Sequence, residues 1–422
     1  MYADPQHFVF NDQHHQILQN LTINEDKPGS ILHDFGVMLD VLYSNSTLLT
    51  VAEQLPLESI TQINERLMHP LKLALKRSQQ KSYPHIQGLY LLLRASGLTY
   101  VDSSGKKPLL VFDKEVYKQW LDLNHSERFG ILLDVWLLRG YGEIIREPSR
   151  SMWGLPDNFD DVMRFVNWQN LEAGLQVAGN KSVESILKYI PHRYNLALLD
   201  LFGIVTIQSG VPAPGKGWHI DHIKLTPFGS ALLSLLYTKV FKPDVLFGSV
   251  DRQIEEEEVA TLRDTLKPYL PTWNRHLKIP KDVPRKGAYI FKVSLGSLWR
   301  RIAIDGKQSL DKLARAIISA VGFDNDHLYE FSYPDRFGAL IEIHHPHMQK
   351  QFSTTRVLVQ DVPLKIGQSM MFLFDFGDNW EFDVLLEAVD PELVLKTAKV
   401  LEAHGKSPEQ YPRSDWDETE DL

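Results

Sequence analysis

One amphipathic stripe in the last third of the chain constrains the fold more than any other feature of the sequence. Its apolar side chains recur at the spacing of a single helix face: Leu310, Leu313, Ala314, Ile317, Ile318 and Val321. This spacing predicts a helix that buries one side. Ser309 fits the N-cap position, and Gly322 fits the residue after the helix, where a left-handed backbone favours glycine.

Alternating apolar and polar residues predict strands on both sides of that helix. The predicted strands cover residues 289–295, 298–304, 327–333, 339–343, 370–376 and 380–388. The last two form a hairpin across Gly377, Asp378 and Asn379, which tolerate the backbone angles of a tight turn. We therefore predict a compact α+β domain of order β-β-α-β-β-β-β, with one helix on a mixed sheet.

The N-terminal region is predicted to be mainly helical and to hold two winged-helix-like units, each with a helix, a hairpin and a second helix. The first copy places helices at 86–95 and 114–121 around strands 98–101 and 109–112, after a helical pattern at 67–75. The second copy places helices at 190–201 and 227–236 around strands 204–208 and 219–225. Asp113 and Thr226 fit the N-caps of the two closing helices.

DNA reading by these units depends on the helix that precedes each hairpin. In DNA-binding winged helices, that helix enters the major groove and carries basic or amide side chains. Here it offers few of them: His192, Arg193 and Asn195 in one copy, and Gln87 and Arg94 in the other. This shortage favours a packing or protein-contact role over DNA reading.

Length, charge and residue usage set further bounds. A chain of 422 residues is expected to form several domains, which we place at 1–138, 139–250, 251–286, 287–390 and 391–422. The third range is an acidic and proline-rich connection, and the last is expected to be helical and then acidic. The absence of cysteine excludes disulfides and thiolate zinc sites, and the net charge of −9 argues against a large basic footprint for nucleic acid. Without a signal segment or a long apolar run, a cytoplasmic protein with no membrane partner is expected.

The last third of the chain contains three motifs, at residues 298–302, 326–331 and 374–381. Their order and spacing, taken together, are more specific than any one of the motifs alone. With the trailing segment 401–412, they resemble the plasmid pRiA4b ORF-3-like family. Members of that family are found on plasmids and beside transposons, so the resemblance implies a mobile-element setting. It brings no established reaction, cofactor or partner.

A histidine cluster is the candidate metal site. His345 and His347, beside His344, could share one strand face and bind a divalent metal, although Pro346 interrupts regular pairing there. The alternative is an exposed strand end, so no cofactor is predicted and a divalent metal stays open.

Two carboxylates at the predicted hairpin turn, Asp375 and Asp378, could hold Mg²⁺ or act as acid and base. Joined by His327 and Glu330, they form the candidate catalytic set. The alternative is ordinary turn chemistry, in which aspartates bond the local backbone.

Two arginines and two tryptophans are the candidate binding residues. Arg300 and Arg301 are adjacent on a strand and therefore point to opposite faces, where either an anion or a carboxylate could be the partner. Trp299 and Trp380 fit the core better than a stacking platform for bases.

The sequence as a whole favours a non-enzymatic, modular binding protein, a mobile-element accessory whose partner is DNA or a DNA-associated protein. The alternative is a metal-dependent hydrolase or phosphoesterase that uses His327, Glu330, Asp375 and Asp378.

Overall fold

The computed structural model describes residues 9–43, 47–103, 105–147, 157–168, 171–240, 256–280, 283–348, 350 and 352–411. The chain divides into two compact units. Unit 1 comprises Met1–Ile279 with Arg336–Ala339, and unit 2 comprises Pro280–Asp335 with Leu340–Leu422. The five domain ranges predicted from the sequence stay a prediction. In the described part of the chain, no helix is both long and apolar enough to cross a membrane.

In its described residues, the first half of unit 1 contains six α-helices and one small sheet. The helices are α1 (Asp12–Gln19), α2 (Ile31–Tyr43), α3 (Leu57–Arg66), α4 (Pro84–Ala95), α5 (Lys114–Leu121) and α6 (His125–Asp134). The strands β1 (Thr47–Leu48), β2 (Thr99–Asp102) and β3 (Leu109–Phe112) form an antiparallel sheet of order β1-β3-β2. The predicted helix α5 and its cap are confirmed, because Asp113 accepts hydrogen bonds from two amides of its first turn.

The second half of unit 1 repeats this order. The helices are α7 (Asp157–Trp168), α8 (Lys181–Ile186), α9 (Arg193–Leu201), α10 (Pro227–Lys239) and α11 (Glu256–Leu266). The strands β4 (Leu175–Gln176), β5 (Val205–Ser209) and β6 (Ile220–Leu225) form an antiparallel sheet of order β4-β6-β5. Thr226 caps α10 as predicted. The identity of the two halves as winged helices stays a prediction.

The helices that precede the two hairpins, α4 and α9, pack against each other. All twelve residues of α4 are buried. A Cβ atom on Gly88 would lie 2.8 Å from Leu198 Cγ, so glycine lets the two helices approach closely. The helix pair that the sequence offered for DNA reading therefore forms part of the core of unit 1.

The helical pattern at residues 67–75 is a wrong prediction. Helix α3 ends at Arg66, and Leu67 already has an extended backbone. Pro70 explains the error, because proline restricts the residue before it and supplies no amide hydrogen bond to a helix. Leu67 and Leu71 are buried all the same, which accounts for the apolar spacing.

Among its described residues, unit 2 is one α-helix on a seven-stranded sheet. The strands are β7 (Ala288–Leu295), β8 (Leu298–Asp305), β9 (Tyr329–Pro334), β10 (Leu340–His344), β11 (Ser369–Phe374), β12 (Trp380–Asp390) and β13 (Lys399–His404), and the helix is α12 (Leu310–Val321). The sheet order is β10-β9-β11-β12-β7-β8-β13, and every pairing is antiparallel. The predicted α+β order is confirmed, but the sheet is antiparallel and not mixed, and β7 and β8, which precede α12, pair with β12 and β13, which follow it.

The predicted stripe of α12 is entirely buried, and it packs against the apolar side chains of the sheet. Gly322 has the expected left-handed backbone, with φ 77°. Ser309 stands at the N-cap but makes no side-chain cap bond. Instead, the amides of Leu310 and Asp311 donate to backbone carbonyls of Val357 and Thr354, which lie outside the helix.

Strand β13 corrects the prediction that the last range of the chain begins as a helix. Its six residues are all exposed, so they carry no alternation of buried and exposed side chains. Pairing with β8, almost a hundred residues earlier, makes this segment a strand. The acidic end of the chain, residues 412–422, lies outside the described residues.

Candidate functional site

The turn between β11 and β12 holds Asp375 in an unusual backbone conformation. Its φ is +59°, a left-handed value that aspartate tolerates better than most residues. Its Oδ1 accepts a hydrogen bond of 2.9 Å from the amide of Gly377, and its own amide donates to the carbonyl of Leu328 at 2.9 Å. Asp375 is buried, whereas Asp378 is exposed. The turn therefore fixes one carboxylate of the predicted pair beside the start of β9.

His327 lies next to that carboxylate. Its Nε2 is 3.4 Å from Asp375 Oδ2 and 3.1 Å from the phenol oxygen of Tyr411. The phenol donates to Asp326 Oδ2 at 2.6 Å, so it accepts from His327. This network assigns the proton of a neutral His327 to Nε2 and leaves Nδ1 as the acceptor.

The bond between Tyr411 and Asp326 shifts both groups. Tyr411 donates to the carboxylate, and this bond raises the pKa of the phenol to about 12. The same bond lowers the pKa of Asp326, which is therefore ionised at neutral pH. Gln410 donates to both groups, at 2.9 Å to the phenol and 3.2 Å to the carboxylate. The segment after β13 thus closes over the start of β9.

A cavity of about 340 Å³ opens beside His327. It is called the histidine cavity below, and its lining consists of Arg315, Asn325, Asp326, His327, Leu328, His345, Pro346 and His347. Three of the histidines that were singled out in the sequence therefore meet at one place, although His327 and His347 are separated by two strands.

His345 and His347 stand edge to face on the far side of the cavity, with ring centroids 4.8 Å apart. The backbone amide of His347 donates to His345 Nδ1 at 3.2 Å, so a neutral His345 carries its proton on Nε2. Burial, followed by the proximity of His347, lowers the pKa of His345. His345 is therefore a neutral hydrogen-bond donor at physiological pH.

Arg315 projects from α12 into the lining, and sequence reasoning missed it. Its Nε donates to Asp311 Oδ2 at 2.9 Å, and Tyr329 donates to Asp311 Oδ1 at 2.6 Å. Burial alone would raise the pKa of Asp311, but these two bonds outweigh it and lower the pKa below its usual value. The terminal nitrogens of Arg315 have no further partner among the described residues. The available signal was the i, i+4 spacing of Asp311 and Arg315 on the polar side of the predicted helix.

The remaining members of the predicted catalytic and metal sets lie elsewhere. Glu330 is on the opposite face of the sheet from Tyr329, and its Oε2 is 3.2 Å from Nδ1 of His344. Within the described ranges, no group of three or more histidines, aspartates or glutamates has the arrangement of a metal site. The structure therefore joins His327 to Asp375 and His345 to His347, but does not bring Glu330 to either pair.

Arg300 and Arg301 point to opposite faces, as predicted from their adjacency. Arg300 is buried and donates to backbone carbonyls, including those of Ala320 and His404, at 2.9 and 2.8 Å. Arg301 lies on the other face and bonds the carboxylates of Glu387 and Glu402. Neither guanidinium is left open for an anion.

The two candidate tryptophans differ. Trp380 packs at the margin of the core, with its ring centroid 5.1 Å from that of Phe323. Trp299 is half-buried on the face away from α12, where it stacks on His404 with centroids 5.6 Å apart. Lys292 and Arg301 lie 5.2 and 5.3 Å from the Trp299 ring centroid. The rings and cations of this cluster thus have partners within unit 2.

The side chains that the sequence offered for DNA reading are mostly buried in unit 1. The amide of Gln87 bonds Gln80 and the carbonyl of Ile145, and Arg94 bonds the phenol of Tyr90. Asn195 bonds Trp136 and Asp161. His192 and Arg193, at the start of α9, are partly exposed.

Comparison with known proteins places the similarity in unit 2. Residues 288–411 match the model of a family described as Plasmid pRiA4b ORF-3-like protein. A curated relative, the uncharacterized protein y4hQ of Sinorhizobium fredii, is 32% identical over 120 residues, which are 28% of this chain and 60% of the relative. A solved structure, the protein of unknown function MM3350 from Methanosarcina mazei, is 22% identical, with 29% of this chain and 72% of that chain covered at a TM-score of 0.27.

Proposed function

We propose that the chain is a modular binding protein, and that the histidine cavity of unit 2 is its recognition site for an anionic group. The observation that carries the proposal is the convergence of Arg315, His345 and His347 on a cavity of about 340 Å³ that His327 also lines. A phosphate or carboxylate group fits within this volume, and its oxygens need donors of the kind that guanidinium and imidazole supply.

Arg315 and His345 are each held in place by a hydrogen bond that leaves other N–H groups of the same side chain free to donate to a ligand. Arg315 bonds Asp311 through Nε, so both terminal nitrogens are open to a ligand. His345 accepts from the amide of His347 through Nδ1, so its Nε2–H is open. Asp326 also lines the cavity, but Tyr411 and Gln410 donate to its two oxygens and hold it in place. Preorganised donors cost little to arrange when the ligand arrives.

The partner expected from the sequence, DNA or a DNA-associated protein, is retained here as the source of the anionic group. Recognition through helices α4 and α9 has less support, because Gln87, Arg94 and Asn195 are buried. The metal-dependent phosphoesterase also has less support, because Glu330 contacts His344 and not His327.

The test is isothermal titration calorimetry of the full chain with inorganic phosphate. We expect Arg315→Ala to weaken binding about tenfold, because a charge-assisted hydrogen bond contributes about 1.5 kcal/mol. The matched control is Lys312→Ala, which removes the same charge from an exposed position of α12 outside the cavity. Equal weakening by both variants would reduce the effect to general charge and contradict the proposal, as would phosphate binding that Arg315→Ala leaves unchanged.

A further inference from the structure

The sheet of unit 2 has one face that α12 does not cover. The strand residues that alternate with the core side chains point to this face, which is called the open face below. Cross-strand registry sets its neighbours: Met371 stands opposite Asp383 on one side and Ser332 on the other, and Leu373 stands opposite Glu381 and Glu330. Neighbouring strands lie about 4.8 Å apart, so these side chains form a continuous surface.

One half of the open face combines apolar and acidic side chains. It is called the acidic half and consists of Met371, Leu373, Glu330, Glu342, Glu381 and Asp383. Met371 is 44% exposed although it is a large apolar residue in the middle of a sheet. The four carboxylates surround the two apolar side chains. An apolar centre with a charged rim is the anatomy of a protein-contact surface.

Most of these carboxylates have no counter-charge of their own. Glu330 is paired with His344, but in the described part of the chain no lysine, arginine or histidine makes an ion pair with Glu342, Glu381 or Asp383. The part of the open face on β8, β12 and β13 differs, because Arg301 there bonds Glu387 and Glu402. The charge of the acidic half is therefore available to an external partner.

The crowding of these acids also affects the pKa of Glu330. Burial raises the pKa of its carboxyl, and the nearby Glu342 raises it further. A cation above Glu330 and Glu342 would relieve this repulsion, and an apolar side chain between such cations would cover Met371. Like charges on neighbouring strands are otherwise destabilising.

We propose that the acidic half of the open face docks a lysine- or arginine-rich segment of a protein partner, one that carries apolar side chains between its basic ones. Charge complementarity selects this occupant: cations meet Glu342, Glu381 and Asp383, and the apolar side chains cover Met371 and Leu373. A second copy of this chain fits less well, because the chain carries a net charge of −9. The surface uses no residue of the histidine cavity and does not depend on the function proposed above.

The experiment measures fluorescence anisotropy of labelled peptides with the full chain. The probe alternates arginine and leucine, and two matched peptides replace either every arginine by glutamate or every leucine by serine. We expect only the arginine–leucine probe to bind tightly. The double variant Glu381→Lys with Asp383→Lys should weaken the affinity for this probe at least tenfold. Glu392→Lys, an exposed change of the same sign outside the surface, is the control and should leave the affinity unchanged.

Three outcomes would overturn the proposal. Equal affinity in the double variant would place binding elsewhere, and equal affinity for the serine peptide would reduce it to general attraction of cations. The wild-type chain could also self-associate in sedimentation and lose this association on Met371→Glu. That result would make a second copy of the chain, and not a basic segment, the occupant of the acidic half.

Discussion

Replacing Arg300 by alanine tests how unit 2 is held together. The guanidinium of Arg300 lies at 7% exposure and donates to the carbonyls of Trp299, Ala320 and His404 and to the hydroxyl of Ser407. These bonds tie the last turn of α12 to β8 and to the segment that follows β13. The next residue, Arg301, bonds two carboxylates on the open face, and it serves as a matched control.

The two changes should differ strongly in cost. Without Arg300, the carbonyls of Ala320 and His404 lose their donors in a partly buried place. A hydrogen bond to a charged group contributes about 1.5–3 kcal/mol, so the loss of two amounts to about 3–6 kcal/mol. The ion pairs of Arg301 are open to solvent, where water and dissolved salt screen the attraction between the charges, so these pairs contribute little to stability. Arg301→Ala should therefore change stability little.

Differential scanning calorimetry of the full chain measures this difference, and hydrogen exchange of peptides from 288–321 identifies the transition of unit 2. A change of 1 kcal/mol shifts the midpoint of a domain of this size by about 4 °C, so Arg300→Ala should lower it by about 12–24 °C. A shift as large for Arg301→Ala, or a shift of only a few degrees for Arg300→Ala, would show that the bonds of Arg300 do not hold unit 2 together.

Three further predictions concern the cavity, α10 and α4. Sulfate should bind more tightly as the pH falls from about 8 to about 5, because protonation of His345 adds a positive charge to the cavity, and His345→Gln should reduce the gain. Burial lowers the pKa of His345, so this gain comes at the acidic end. A flat calorimetric profile would contradict this. Gly229→Ala should destabilise unit 1 by about 3 kcal/mol, because the new Cβ would lie 2.0 Å from the carbonyl oxygen of Ile204. Gly36→Ala places its Cβ in open space and should stabilise unit 1 by about 1 kcal/mol. Urea unfolding measures both changes, and equal effects of the two variants would contradict this prediction. Gln87→Ala should lower the unfolding temperature of unit 1 and leave the anisotropy of labelled duplex DNA unchanged, since the side chain is buried; selective loss of DNA affinity would reverse our interpretation of α4.

Sequence reasoning succeeded where the signal is local. The stripe of α12, the cap of α5 at Asp113 and the hairpin from β11 to β12 follow from spacing within a few residues. It failed at β13, because exposed residues carry no alternation and only pairing with β8 makes them a strand. It also failed at residues 67–75, where buried leucines mimic a helix that Pro70 prevents.

Only some residues of the candidate site could be predicted from the sequence. His327, His345 and His347 were named individually, but their meeting at one cavity depends on the sheet. Glu330 was grouped with His327 although the alternation of β9 already put it on the face opposite Tyr329. Arg315 and Tyr411 were missed, because an exposed helix residue and a residue of the tail reach the site only through tertiary structure.

Recognition of an anionic group by the histidine cavity can be measured by NMR of the imidazole groups of the full chain while inorganic phosphate is added. We expect the signals of His327, His345 and His347 to move together along one saturable curve, while His404, stacked on Trp299 outside the cavity, stays in place. Movement of His404 on the same curve, or no movement of the three cavity histidines at saturating phosphate, would contradict the claim that this cavity recognises an anionic group.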